Sequence, residues 1–215
     1  MAQSVIKGAE QAGVTVKVYS FKETLTEEIL TKMHAGGSLN PPYPIITPEE
    51  LIHLDGVIMG FPTRRVFSTS SAYPSWFELS GTYGRAPAQV SSFFDACGKI
   101  WGEGKMVGKM VTIFTSAAGQ HGGHEATALT TMPFFVHRKS SSSPHRLLTD
   151  VTDGSYTHPF VNQTDTMAGN SPYGASCIAS ADGSRQPSAE ELAVAEHQGK
   201  YFAEYVATFI RGKQA

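Results

Sequence analysis

Two short apolar runs, GVIMG at 56–60 and KMVTIFT at 109–115, constrain the fold of this chain more than any other feature. Each is a few residues of almost unbroken hydrophobicity, the pattern of a buried strand. Each passes into a loop of small or hydroxylated residues, FPTR after the first and SAAGQHGG after the second. Helix signals return at 86–97 (APAQVSSFFDAC) and from about Glu125 to Val136. Strands that alternate with helices predict an α/β fold with a parallel sheet. In such sheets ligands bind beyond the carboxyl ends of the strands, where the order of the sheet switches. The two loops therefore become the first place to look for function.

The rest of the chain supports one domain over 1–215, with no internal repeats. Residues 2–12 read as a helix closed by Gly13, a plausible glycine just past a helix end. VTVKVYSF, 14–21, alternates apolar and polar residues and predicts a strand. Residues 24–34 predict a polar helix, 36–48 a loop, and Leu51 opens a short helical turn before GVIMG. The last helix is the best marked. Ser188 and Glu191 make a capping box, and Leu192, Ala195, Phe202, Tyr205, Val206 and Phe209 form an apolar stripe at helical spacing.

Composition excludes several classes. Hydrophobic residues are 40% and charged residues 17% of 215, which fits a globular chain and not a disordered one. A net charge of −2 and a pI of about 6.4 argue against a nucleic-acid partner. No run approaches the length of a membrane helix, and Lys7, Glu10 and Lys17 interrupt any signal-peptide core. Cys97 and Cys177 stand apart without metal-type spacing and read as free thiols. A cytosolic protein is expected. The chemistry of the two loops is that of binding: their backbone N–H groups can meet the carbonyls and nitrogens of a flat ring. No acid, base or nucleophile is in evidence, so no catalytic residue is assigned. No metal set is assigned either, since His121 and His124 stand at i, i+3 without a third ligand.

Four stretches carry a family resemblance: FPTR (61–64), YGRAPAQVSSFFDACGKIW (83–101), GKMVTIFTSAAGQHGGHEATALTTMPFFVH (108–137) and SPYGASCIASADGSRQPSAEELAVAEHQGKYFAEYVA (171–207). They resemble the WrbA family of flavodoxin-like NAD(P)H:quinone oxidoreductases, and the last is the most specific. The resemblance implies a doubly wound parallel sheet in three αβα layers. It implies non-covalent FMN, NADH or NADPH as co-substrate, two-electron reduction of quinones by hydride transfer, and a homo-oligomer, dimer or tetramer. By the same resemblance Thr63 and Arg64 flank the flavin ring, with Tyr83 following them. Ser116, Ala117, Ala118, Gly119, Gln120, His121 and Gly122 line the pyrimidine edge, and His137 is the first of a pair that approaches the flavin. Trp101 would stack near the nicotinamide or quinone at a subunit boundary. Taken singly, each residue has a plainer reading: loop residues at Thr63 and Arg64, a turn at Gly122, a helix-end histidine at His137, core at Trp101.

The chain departs from the family pattern in three places. Arg65 to Thr82 separates FPTR from YGRAPAQ as an insertion containing Tyr73, Trp76 and Phe77. It reads either as a lid, as a disordered segment, or as normally untranslated sequence. The family's first strand and its phosphate-cradling loop have no counterpart before Met1, which leaves the 14–19 strand without a neighbour on one side. Losing the hydrogen bonds of that loop would cost about 5 kcal/mol, or roughly three to four decades of FMN affinity. Residues 138–170 carry a serine run and proline where the family has an apolar strand, and Arg138 stands where a second histidine belongs. These departures support an alternative, a degenerate non-catalytic relative that acts as an oligomer partner.

Overall fold

A computed structural model describes residues 1–32, 40–63, 84–136, 157–169, 171–180 and 183–214. Arg64, Tyr83 and His137, the 65–82 insertion and residues 138–156 lie outside the described residues.

The two apolar runs form the strands they predict. β1 (Gly56–Pro62) and β2 (Met110–Ala117) pair in parallel, with Gly56 opposite Met110 and Pro62 opposite Ser116. A third strand, β3 (Ser176–Ile178), pairs in parallel with the last three residues of β2. The order is β1-β2-β3.

Alternation along the strands sorts the core into two sides. Met59, Phe61, Val111 and Ile113 point to one face. There they meet α3 (Pro48–Ile52), α4 (Ala88–Ala96), α5 (Gly98–Gly102) and α6 (His124–Val136) through Leu51, Val90, Phe93, Ile100, Ala128 and Phe135. Ile58, Met110 and Phe114 point to the other face, toward α7 (Ala189–Gln214), whose Val194, Ala195, Phe202 and Val206 cover them. Helices thus lie on both faces of a parallel sheet, the three-layer doubly wound arrangement that the sequence predicts.

α1 (Ala2–Gln11) packs along α7. The two backbones meet at glycines: a Cβ on Gly8 would collide with the Glu196 carbonyl, and one on Gly199 with the Val5 carbonyl. Lys7 and Gln11 both donate to Glu196, at 2.8 and 2.7 Å. Gly13, with φ of +73°, ends the helix as the sequence predicts.

α7 begins at the predicted capping box. Glu191 N–H donates to Ser188 Oγ at 3.2 Å, and Ser188 N–H donates to Glu191 Oε2 at 2.7 Å. Its Gln198 is fully buried and stitches the helix to the sheet. The side-chain carbonyl accepts from Ala175 N–H, while the amide donates to Thr112 Oγ1 and the Ile113 carbonyl. Tyr205, expected in the apolar stripe, is exposed.

Two expectations change. Residues 14–18 keep their alternation, with Val14, Val16 and Val18 half-buried and Thr15 and Lys17 exposed, but they are not a strand. The one backbone pairing of the 14–21 stretch, among the described residues, is a bridge between Ser20 and Ile45. A strand needs a neighbouring ladder as well as a pattern of side chains. The helix expected over 24–34 begins later, at Glu27 of α2 (Glu27–Lys32); residues 33–34 lie outside the described residues. Among the described residues no helix is long and apolar enough to cross a membrane.

Candidate functional site

The three strands are parallel, so their carboxyl ends share one edge of the sheet. Backbone hydrogen bonds carry the pairing past each strand. Thr63 N–H donates to the Ser116 carbonyl at 2.8 Å, and Ala179 N–H donates to the Ala117 carbonyl at 2.8 Å. Three loops therefore leave side by side.

The middle loop is built from small residues for a steric reason. Gly122 N–H donates to the Gly119 carbonyl at 2.9 Å and closes a tight turn. A Cβ on Gly122 would stand 2.7 Å from Ala117 Cβ and 2.8 Å from the Gly119 carbonyl oxygen. Gly123 has φ of +97°, a conformation that suits glycine, and its carbonyl accepts from Thr127 N–H to start α6. At Gly119 the situation reverses: among the described residues a Cβ there would meet nothing within 4 Å. Among those residues the turn packs tightly below and presents open backbone above, with Gln120 and His121 exposed at its tip.

The two ends of the interrupted FPTR…YGRAPAQ stretch converge on this turn. A Cβ on Gly123 would lie 3.4 Å from Gly84 Cα and 3.8 Å from Thr63 Cγ2. Thr130 Oγ1 on α6 lies 2.8 Å from the Gly84 carbonyl, which it holds against the helix. Thr63, Gly84 and the 116–122 turn are thus brought together across a gap of twenty residues in sequence.

Beneath the turn sits His124, the first residue of α6 and 3% exposed. Its Nδ1 lies 3.3 Å from Thr115 Oγ1 at the end of β2. Its Nε2, and the Thr127 hydroxyl one turn further along, have no hydrogen-bond partner among the described residues. Burial pushes the imidazole below its ordinary range, against weaker opposing pulls from Glu191, the Gly119 carbonyl and Glu125. The ring is therefore neutral at pH 7. Sequence reasoning considered His124 only as half of a metal pair and missed its place under the loop. The signal was its position, one residue past a double glycine that opens a helix.

The third loop is fixed by charge. Glu191, 1% exposed, accepts from Gly169, Ile178 and Ser188 N–H and pairs with Arg185 at 2.9 Å. Arg185 also donates to the Ile178 and Met167 carbonyls. Cys177 beside it is a buried free thiol, which burial and the Glu191 carboxylate push up and keep protonated.

Trp101 stands elsewhere. It is 46% exposed on α5, which packs against α3, the helix leading into the start of β1. That is the amino-terminal end of the strands, opposite the loops, so one chain does not bring Trp101 to its own turn. Its plain reading as a core residue does not hold.

The edge offers backbone donors and acceptors, small side chains and a neutral buried imidazole. No cluster of three or more metal-ligating side chains exists among the described residues. The arrangement suits a flat ligand with polar edges.

No family model matches the chain. Individual relatives do. It is 39% identical over 207 residues to a quinone-oxidoreductase, QR2, of Triphysaria versicolor, covering 94% of this chain and 86% of that protein. It is 37% identical over 207 residues to an NAD(P)H dehydrogenase (quinone) of Sinorhizobium fredii, covering 96% and 89%. Its fold is similar to the crystal structure of a flavodoxin, WrbA-like protein from Agrobacterium tumefaciens, with a TM-score of 0.53 and 16% identity over 96% of this chain and 87% of that one.

Proposed function

The chain belongs to the family of NAD(P)H quinone oxidoreductases, and from that premise we propose that it reduces quinones with NADH or NADPH through non-covalently bound FMN. The observation that carries the reading is the backbone at Gly119, open among the described residues, above a turn so tight that Gly122 admits no side chain. A flat ring needs such a surface, and polar backbone atoms at its rim can recognise the ring's edge. When bound, the flavin supplies the hydride chemistry in both directions.

The chain's own residues bind and orient. Thr63, locked to Ser116, and Arg64 would flank the ring, with Tyr83 following. Ser116, Ala117, Ala118, Gly119, Gln120, His121 and Gly122 would line its polar edge, and His137 would approach from the end of α6. Trp101, at the far end of the strands, would serve the site of a neighbouring copy, which fits a homo-oligomer. Quinone and nicotinamide would then occupy the same face in turn. A cytoplasmic setting supplies both NADH and NADPH.

One observation favours a second reading, a non-catalytic oligomer partner with weak flavin binding. The described sheet has three strands, and 14–18 holds a strand's side-chain pattern without its ladder. One experiment separates the two. The purified chain is mixed with excess FMN, desalted and examined by visible absorption, then assayed for NAD(P)H oxidation with benzoquinone. Retained flavin with quinone-dependent oxidation is expected. A colourless, inactive protein would overturn the first reading in favour of the second.

A further inference from the structure

His124 is a buried histidine whose hydrogen bonding is half complete. Thr115 is buried too, and its hydroxyl can donate to a ring nitrogen or accept from one. Among the described residues the side-chain partner of that hydroxyl is His124 Nδ1, at 3.3 Å. One tautomer would have Nδ1 donate to the hydroxyl; with Nδ1 as the acceptor of that contact, the neutral ring carries its proton on Nε2. That N–H is buried and has no partner in bonding geometry among the described residues. Leaving it so costs about 1–3 kcal/mol.

The backbone of Gly119 acts on the ring and favours a proton there, and the acceptor it can offer is its carbonyl. It accepts from Gly122 N–H, and a carbonyl oxygen has a second lone pair. Gly119 also has room to shift among the described residues, none of which lies within 4 Å of where its side chain would be. The charged groups that act on the ring from the described residues are Glu191 of α7 and Glu125 of α6, and burial outweighs both.

We propose that His124 is a positioning residue for the 116–122 turn. As a neutral imidazole with its proton on Nε2, it joins the Thr115 hydroxyl at the end of β2 to the Gly119 carbonyl in the turn. This link sets where the backbone amides of 118–122 stand when a planar ligand docks on them. The consequence for flavin rests on the function proposed above; the link itself does not.

The test therefore begins with the ligand-free protein. Long-range proton–nitrogen correlation on labelled histidine is expected to show a neutral His124 with Nε2 protonated at pH 7. A cationic ring, or a proton on Nδ1, would overturn the proposal. Amide hydrogen exchange is then compared in His124→Gln and His124→Leu. Glutamine supplies an acceptor for Thr115 and a donor for Gly119; leucine supplies neither. Exchange at Gly119 to Gly122 is expected to accelerate about tenfold or more in His124→Leu and to stay near wild type in His124→Gln, with Ile113 unchanged in both. Equal acceleration in the two variants, or none in leucine, would overturn the proposal. If Ile113 also exchanges faster in His124→Leu, the fold itself has loosened, and the wild-type tautomer and the glutamine variant decide. FMN retention is expected to follow the same order, wild type and glutamine above leucine. A wild type that retains no FMN would sink the proposed function while leaving the tautomer and exchange results to judge His124.

Discussion

The ends of β2 and β3 are neighbours, with Ala117 opposite Ile178, yet they are finished in opposite ways. At β3 every strong polar group has a partner: Glu191 gathers three backbone amides and Arg185, and Arg185 covers two carbonyls. At β2 the polar groups are left incomplete: among the described residues His124 Nε2 and the Thr127 hydroxyl are unpartnered and Gly119 faces open space. A buried network that is fully satisfied fixes one geometry. An edge with unsatisfied groups is poised for something else to complete it. The first end holds the sheet in place, and the second is where the proposed function would seat its ligand.

Substitutions at the two ends test this contrast. Glu191→Ala should have the largest effect, since it leaves Arg185 and three amides without their acceptor. A loss of about 3–5 kcal/mol is expected from urea unfolding, as for other broken buried pairs. A loss under about 1 kcal/mol would mean the end of β3 is no better fixed than that of β2. Gly122→Ala should come next, at about 1–3 kcal/mol, because its Cβ would press on Ala117 and Gly119. It should also abolish FMN retention on desalting, which Glu191→Ala, where still folded, should only weaken. Thr127→Val should be smallest. It removes a buried hydroxyl that satisfies nothing, so thermal unfolding should show stability unchanged or raised by up to about 1 kcal/mol. A clear drop would reveal a partner for that hydroxyl, such as an ordered water, and blur the comparison.

The same contrast separates what was legible in the sequence from what was not. β1, β2 and the capping box announce themselves locally, by apolar runs and by residues three apart. β3 is three residues long, too short for any periodicity, and exists because β2 offers a ladder and Gln198 and Glu191 hold both of its approaches. The 14–21 stretch errs the other way: its alternation is real, but a ladder is a property of two segments. Glu191 was readable as a cap for its own helix. That the same carboxylate organises Gly169, Ile178 and Arg185 depends on contacts the sequence does not order. That FPTR and YGRAPAQ belong to one interrupted stretch came through family resemblance, not through spacing; that Thr63 and Gly84 meet at Gly123 came from the structure.

The glycine contact between α1 and α7 has a further consequence, for the order of folding. Lys7 and Glu196 stand 189 residues apart, and Gly8 rests on the Glu196 carbonyl itself. During synthesis the 2–11 helix must therefore wait, without its partner, until the 189–214 helix has left the ribosome. Until then one side of the sheet, with Ile58, Met110 and Phe114, lacks the α7 residues that pack on it. Such long-range closure slows folding and exposes apolar surface to other chains meanwhile. Emergence of the 189–214 helix is the event that ends that exposure.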